Sequence, residues 1–322
     1  MLAMLPHPTP FATHLVGIDV SKDWLDIAFD DTKVERVDNT PAALQRLARR
    51  LVKAGLTTAG LEPTGGYERL AVAVLREAGL TVLQVDSWRC RQFAKACGQR
   101  AKSDPLDARI IRAFMLHHPC RPFPEPSQAQ SDLTAWVREI TRAEADIRRL
   151  ENRKAHPTLA AITARLDAEI AALRETVAAA EQAIEALIAA DPAMDAKAKI
   201  ITSVPGIATK TARVLLAEAP ELGRFTPRQA GAIGGCAPYR NDSGKARRPA
   251  HIEAGRRALK RACYLAAFAA IHWNPWAKQL YADLKARGKP AKVALIAIAR
   301  KLLTILNAMI RDNKPWRDPK TA

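Results

Sequence analysis

The chain has too few cysteines, too widely spread, for a disulfide framework or a zinc site. Cys90, Cys97, Cys120, Cys236 and Cys263 form no Cys-x-x-Cys pair, and no histidine spacing completes a metal set. Such an odd, scattered set reads as reduced thiols in a cytosol. The first ten residues, Met-Leu-Ala-Met-Leu-Pro-His-Pro-Thr-Pro, lack a basic leader and carry too many prolines for a signal peptide. No long apolar run is free of charge. The longest, 291–310, contains Lys292, Arg300 and Lys301, which predicts an amphipathic helix and no membrane partner. Glycine is absent from 128–190. Acidic residues number 33 against 50 Lys and Arg.

That imbalance gives a formal net charge of +17. Charge of this size self-repels in a compact state and favours a polyanionic partner, with nucleic acid foremost. A generally basic soluble protein is the plainer alternative. Apolar residues make up 48% of the 322. That content supports real cores, and the length suits two or three compact units.

Periodicity divides the chain. Residues 1–13 read as a tail. In 14–118, three strand-like runs are followed by a helix from Pro41, a strand at 57–62, a helix near 66–78, a strand at 80–85 and helices near 88–97 and 104–117. This is the order of ribonuclease-H-like (RuvC-like) α/β folds. Pro119, Pro122, Pro124 and Pro126 make 119–127 a rigid linker. Residues 128–197 form a coiled-coil arm, with Leu159, Ile162, Leu166, Ile170, Leu173, Val177, Ala180, Ile184 and Leu187 as its seam. His156-Pro157 breaks it into an antiparallel hairpin. The arm either joins protomers or packs within one chain. Residues 198–322 read as a mainly helical domain. In it, 201–218 resembles a helix-hairpin-helix element, where Pro205-Gly206 would free N–H groups for a phosphate, though Pro-Gly before a helix is also an ordinary turn. The stretch 231–245 is too glycine-rich for regular structure.

Four acids stand where a metal-dependent nuclease needs them. Asp19 lies in Val-Gly-Ile-Asp-Val-Ser-Lys (16–22), and Glu62 lies in Gly-Leu-Glu-Pro-Thr-Gly-Gly-Tyr (60–67). Asp104 and Asp107 lie in Lys-Ser-Asp-Pro-Leu-Asp-Ala-Arg (102–109). The first two end strand-like runs, and the last two share a helix face. Carboxylates brought together repel one another unless a cation neutralises them. Hard oxygens suit Mg2+ or Mn2+, the ions of much phosphoryl chemistry. Singly, each acid has a structural reading as a turn former or helix cap. Asp23, Asp26 and Glu68 compete; the first two are expected to face solvent in part, and Glu68 lies inside the next helix.

Basic residues cluster twice. Arg89, Arg91, Lys95, Arg100 and Lys102 precede the Asp104–Asp107 pair. Arg240, Lys245, Arg247, Arg248, Arg256, Arg257, Lys260 and Arg261 are opposed only by Asp242 and Glu253. Such clusters bind phosphate backbones in a salt-sensitive way, although a solvated helix face looks similar. Trp88 and Tyr239 can stack on bases, or simply pack at a core or rim. Ser243 lies in Asn-Asp-Ser-Gly, a common turn sequence with no activating base marked nearby.

The order of these motifs resembles a family of insertion-sequence transposases. The likeness runs from Val16 to Trp316 on Gly-Ile-Asp-Val-Ser-Lys, Glu-Pro-Thr-Gly-Gly-Tyr, Arg-Gln-Phe-Ala-Lys-Ala-Cys-Gly, Lys-Ser-Asp-Pro-Leu-Asp-Ala-Arg, Val-Pro-Gly-Ile and Ala-Pro-Tyr-Arg-Asn-Asp-Ser-Gly. Members carry an N-terminal RuvC-like domain with an Asp-Glu-Asp-Asp set and a C-terminal transposase domain. They are understood as recombinases guided by a structured bridge RNA. The resemblance implies that Asp19, Glu62, Asp104 and Asp107 bind Mg2+. It implies that Ser243 attacks a DNA phosphodiester and becomes covalently linked to the strand. It further implies double-stranded donor and target DNA as partners, a guide RNA, a homo-oligomer (a dimer, or a tetramer in the active complex), and a bacterial cytoplasmic, nucleoid-associated location. Asp-Ser-Trp (86–88) stands where many relatives have Asn-Pro. Two other classes remain open: a metal-only, junction-resolvase-like nuclease that does not need Ser243, and a non-catalytic nucleic-acid-binding protein. A sugar-kinase-like ATPase fits less well, because the first domain lacks a duplicated half.

Overall fold

Burial on both faces of the first strand sets the layering of the amino-terminal unit. In the computed structural model, which describes residues 14–99, 104–156, 159–239 and 250–318, and only the backbone of Asp104 and Pro105, the chain forms two compact units that meet in sequence at Glu125 and Pro126. The first is built on a mixed six-stranded sheet. Its strands are β1 (Leu15–Val20), β2 (Trp24–Ala28), β3 (Val34–Asp38), β4 (Thr58–Leu61), β5 (Thr81–Gln84) and β6 (Arg121–Pro122), in the order β3-β2-β1-β4-β5-β6. β1, β4 and β5 run parallel, whereas β2 and β6 are antiparallel to their neighbours.

Successive strand residues face opposite sides, so each side carries its own core. Val16, Ile18 and Val20 pack with Leu44, Leu47 and Leu51 of α1 (Pro41–Lys53) and with Ala71 and Leu75 of α2 (Glu68–Glu77). On the other side Leu15 packs with Cys90 and Ala94 of α3 (Ser87–Ala96) and with Ile111, Phe114 and Met115 of α4 (Asp104–His117). The sheet is therefore helix-covered on both faces.

Two expectations change here, and Glu68 gains a structural role. The proline-rich stretch is more than a linker, since Arg121 and Pro122 pair with β5 as an edge strand, a position where proline's missing N–H does no harm. Asp26 does not face solvent: it is buried, with its carboxylate bound by Arg36 Nε at 3.0 Å and Nη2 at 2.8 Å from the opposite residue of β3. Glu68 is buried too, and Oε2 accepts bonds from Thr64 N, Thr64 Oγ1 and Gly66 N, fixing the loop after β4.

The second unit is helical. α5 (Gln128–Lys154) and α6 (Ala160–Ala190) form an antiparallel pair, with Leu150 against Leu166 and Ile170 at one end. At the other end Leu133, Val137 and Ile184 join the main core. From Leu166 onward the predicted seam thus includes residues buried within this chain, while Leu159 and Ile162 are exposed. The core also takes residues from α7 (Pro192–Thr202), α8 (Thr209–Glu218), α9 (Pro227–Ile233), α10 (Arg257–Trp273), α11 (Pro275–Ala286) and α12 (Ala291–Arg311). α12 is long and apolar enough to cross a membrane, yet its Ile298, Ala299, Leu302, Leu303 and Leu306 are buried in this core.

The Pro205-Gly206 turn has a packing role. Gly206 has φ +92°, and a Cβ there would stand 2.9 Å from Ala270 of α10. Lys210 and Arg213 of α8 pair with Glu144 and with Glu181 and Glu185, so these cations meet carboxylates of α5 and α6 rather than a phosphate. The stretch 231–245 is partly regular: it ends α9 and includes β7 (Pro238–Tyr239), which pairs with β8 (His251–Ile252).

One close approach governs the first unit. A Cβ on Gly17 would collide with the Ala108 carbonyl oxygen and the Arg112 nitrogen of α4, whereas one on Gly60 would meet the flexible end of Met115. Gly17→Ala therefore lowers stability by about 1–3 kcal/mol, the usual penalty of overpacking against backbone. Gly60→Ala loses less. Urea unfolding midpoints of the two variants check the order.

Candidate active site

Helix α4 assembles the site. Parallel strands β1 and β4 pair Gly17 with Gly60 and Ile18 with Leu61. Continued by one residue, this register sets Asp19 beside Glu62, on strands spaced about 4.8 Å apart. Both acids lie on the face of Gly17 and Gly60, the face that α4 covers. Asp107 immediately precedes Ala108, the residue over Gly17, so it lies in the helix turn nearest these strand ends. Asp104, three residues earlier, begins the helix on the same face. Its side chain lies outside the described residues.

Electrostatics ties Glu62 to its neighbours. Burial pushes the Glu62 carboxyl above its ordinary range. Hydrogen bonds from Ser87 and Cys90 pull it partly back, and the charges of Asp107 and Asp86 push it up again. Burial likewise pushes the Cys90 thiol up, with Glu62 and Asp107 adding to the effect, so Cys90 is a protonated donor to Glu62 rather than a thiolate. Asp86 caps α3 by accepting from Arg89 N at 2.8 Å.

No motif in the sequence marks Ser87, Cys90 and Asp86 as parts of the site. The available signal was Ser87 and Cys90 three apart in the helix after β5, hence on one face. The segment 86–88 thus supplies both a hydrogen-bond donor and a neighbouring acid to Glu62.

Among the described residues no three His, Cys, Asp or Glu side chains come close enough to enclose a metal ion. The arrangement gives two couplings: Asp19 with Glu62 by register, and Glu62 with Asp107 by charge. This donor set fits a hard divalent cation. Mg2+ keeps several waters and commonly takes only one or two carboxylates, and a cation would relieve the repulsion that raises Glu62.

The basic residues separate into several environments. Arg89, Arg91 and Lys95 are exposed on α3, with the Arg89 guanidinium 5.4 Å from the Phe114 ring centroid. Trp88 is exposed beside them. Arg256 is engaged by Glu221, at 2.8 Å and 2.5 Å, and by the Glu218 carbonyl, so it clamps the start of α10. Arg257 and Arg261 are exposed on α10, and Lys260 is half-buried. Arg100, Lys102, Arg240, Ser243, Lys245, Arg247 and Arg248 lie outside the described residues. β7 and β8 bracket the 240–249 segment that holds the last five.

Two family models match the chain in order. Residues 16–163 match DEDD_Tnp_IS110, described as a transposase, and residues 198–282 match the transposase model of the IS116/IS110/IS902 family. The chain carries transposase domains of the IS110 family. It is 34% identical over 157 residues to an IS110 insertion-element protein of Streptomyces coelicolor, covering 48% of this chain and 38% of that protein. It is 32% identical over 169 residues to an IS900 insertion-element protein of Mycobacterium paratuberculosis, covering 50% of this chain and 40% of that protein. These matches span only about two fifths of both relatives' lengths. The pilin gene-inverting protein of Moraxella bovis is 24% identical over 314 residues, which is 94% of this chain and 97% of that protein. The first IS110 model covers Asp19, Glu62, Asp104 and Asp107 together, and its DEDD type points to a divalent metal.

The raised Glu62 carboxyl sets a pH dependence. In metal-free protein the folded state keeps this proton to higher pH than the unfolded chain does. The folded state then binds more protons, so this contribution to stability falls as pH rises above the unfolded value of about 4.3 and through the folded one. Between pH 4 and 7 in EDTA, wild type loses stability relative to Glu62→Gln. Urea midpoints of the two proteins across that range measure the difference.

Proposed function

We propose that this chain is a DNA recombinase of an insertion element, directed to its sites by base pairing of a structured guide RNA. The grouping of Asp19, Glu62 and Asp107 at the strand ends beside α4 carries this reading. The order β3-β2-β1-β4-β5, with β2 antiparallel, supports an RNase H-like (RuvC-like) domain. The Moraxella relatives are named for inverting a pilin gene. Inversion needs rejoining as well as cutting, which favours a recombinase over a nuclease.

Under this reading Asp19, Glu62, Asp104 and Asp107 hold Mg2+ or Mn2+. When bound, that ion offsets charge on the scissile phosphate. Ser87 and Cys90 keep Glu62 oriented by donating to it. The Ser243 hydroxyl oxygen attacks the phosphorus and loses its proton to solvent. The bond to the bridging oxygen breaks, and that oxygen takes up a proton as the leaving strand's hydroxyl. A hydroxyl of the incoming strand then displaces Ser243 and rejoins the DNA. Arg89, Arg91, Lys95, Arg257, Lys260 and Arg261 meet phosphates, while sequence choice falls to the guide, as in other guided systems. A homo-oligomer is supported by Leu159 and Ile162, exposed near the end of the α5–α6 pair. The setting is the bacterial cytoplasm, at the nucleoid.

The test incubates protein, the RNA transcribed beside the coding region, donor DNA and Mg2+, and resolves the products on denaturing gels. Wild type gives a protein–DNA adduct. Ser243→Ala abolishes it, and Asp19→Asn abolishes strand breakage while RNA binding persists. Cleavage that survives Ser243→Ala means a metal-only nuclease instead.

A further inference from the structure

We infer that the cleft between α9, β7 and α12 seats a single DNA strand next to the Ser243 segment, an assignment that rests on the recombinase reading. The cleft has a volume of about 710 Å3, within the size range of sites that enclose a small ligand. Arg228 of α9 and Arg300 and Lys301 of α12 line it, all three exposed, and among the described residues no lining residue is acidic. The stem of Arg300 lies along α9: a Cβ at Gly231 would stand 3.3 Å from its Cγ, so the bare glycine leaves room for that course. Tyr239 lines the cleft with 42% of its surface exposed, and Trp276 contributes a nearly buried ring.

Three cations without a lining carboxylate favour a polyanion. An exposed aromatic among them adds a surface on which a base stacks. Backbone charge plus ring stacking is the pattern of single-strand recognition and needs no particular sequence. The occupant is the DNA strand rather than the guide RNA because of chain order. Tyr239 directly precedes the segment that carries Ser243, so a strand lying here is the one that continues from the scissile phosphate. Nothing local in the sequence marks the three cations as a nucleic-acid contact. Arg300 and Lys301 stand as interruptions in an apolar helix, and only the packing of α12 against α9 brings them to Arg228.

The test measures binding of the full-length protein to a fluorescein-labelled oligo(dT) strand in EDTA, where no cleavage occurs, across a salt series. The triple variant Arg228→Ala/Arg300→Ala/Lys301→Ala is expected to weaken binding at least tenfold. It should also flatten the plot of log affinity against log salt by about 2, the share of three phosphate contacts on a single strand. Tyr239→Ala weakens binding about tenfold and Tyr239→Phe does not, since stacking needs the ring alone. Thermal melting of each variant confirms folding, and a double Arg228→Lys/Arg300→Lys variant with Lys301 retained should restore the slope. Unchanged affinity and slope in the alanine triple variant overturns the proposal. So does a loss confined to the guide RNA used as probe, with oligo(dT) binding intact. Because this assay needs neither Ser243 nor metal, its failure leaves the adduct test of the recombinase reading standing, and failure of the adduct test leaves this binding result unaffected.

Discussion

The contact of α4 with bare backbone at Gly17 is the constraint on which the site depends. A helix normally stands about 10 Å from a sheet because side chains fill the space. Here the missing side chain at position 17 lets Ala108 and Arg112 approach the strand directly. That approach brings Asp107 to the strand ends where Asp19 and Glu62 emerge side by side from parallel neighbours. It fixes the helix start in the place where further acids do most to crowd one another.

Crowding of this kind has an energetic signature and a chemical use. Glu62 is pushed up by burial and by two neighbouring acids, and it is held by donors from Ser87 and Cys90. A carboxylate kept in place against repulsion is prepared for a cation, because binding removes the repulsion without a rearrangement. The formal charge of +17 is the complementary half. On the proposed reading, the basic chain as a whole would draw a polyanion to the surface, while a divalent ion at the small acidic site would admit the phosphate locally.

Much of this was legible in the sequence. The strand and helix pattern of the amino-terminal unit and the strand-end positions of Asp19 and Glu62 follow from local signals that the structure repeats. What failed to show depends on long-range contacts. Asp26 reads as exposed until the register sets Arg36 across from it. The seam of α6 identifies an apolar stripe and leaves its partner open. Within this chain, Leu166 and Ile170 meet α5. The β7–β8 pair is two residues long on each side, too short for any periodicity to mark. Ser87 and Cys90 look like ordinary helix residues until the fold carries them to Glu62.

The most direct test of the central proposal, that the acids Asp19, Glu62 and Asp107 take up a divalent ion directly or through its waters, is calorimetric titration of the metal-free, RNA-free protein with Mn2+. The account predicts a site whose affinity falls more than tenfold, about 1.4 kcal/mol, in each of Asp19→Asn, Glu62→Gln and Asp107→Asn, with thermal melting of the variants preserved. Mn2+ binding that is the same in all three variants as in wild type would contradict it.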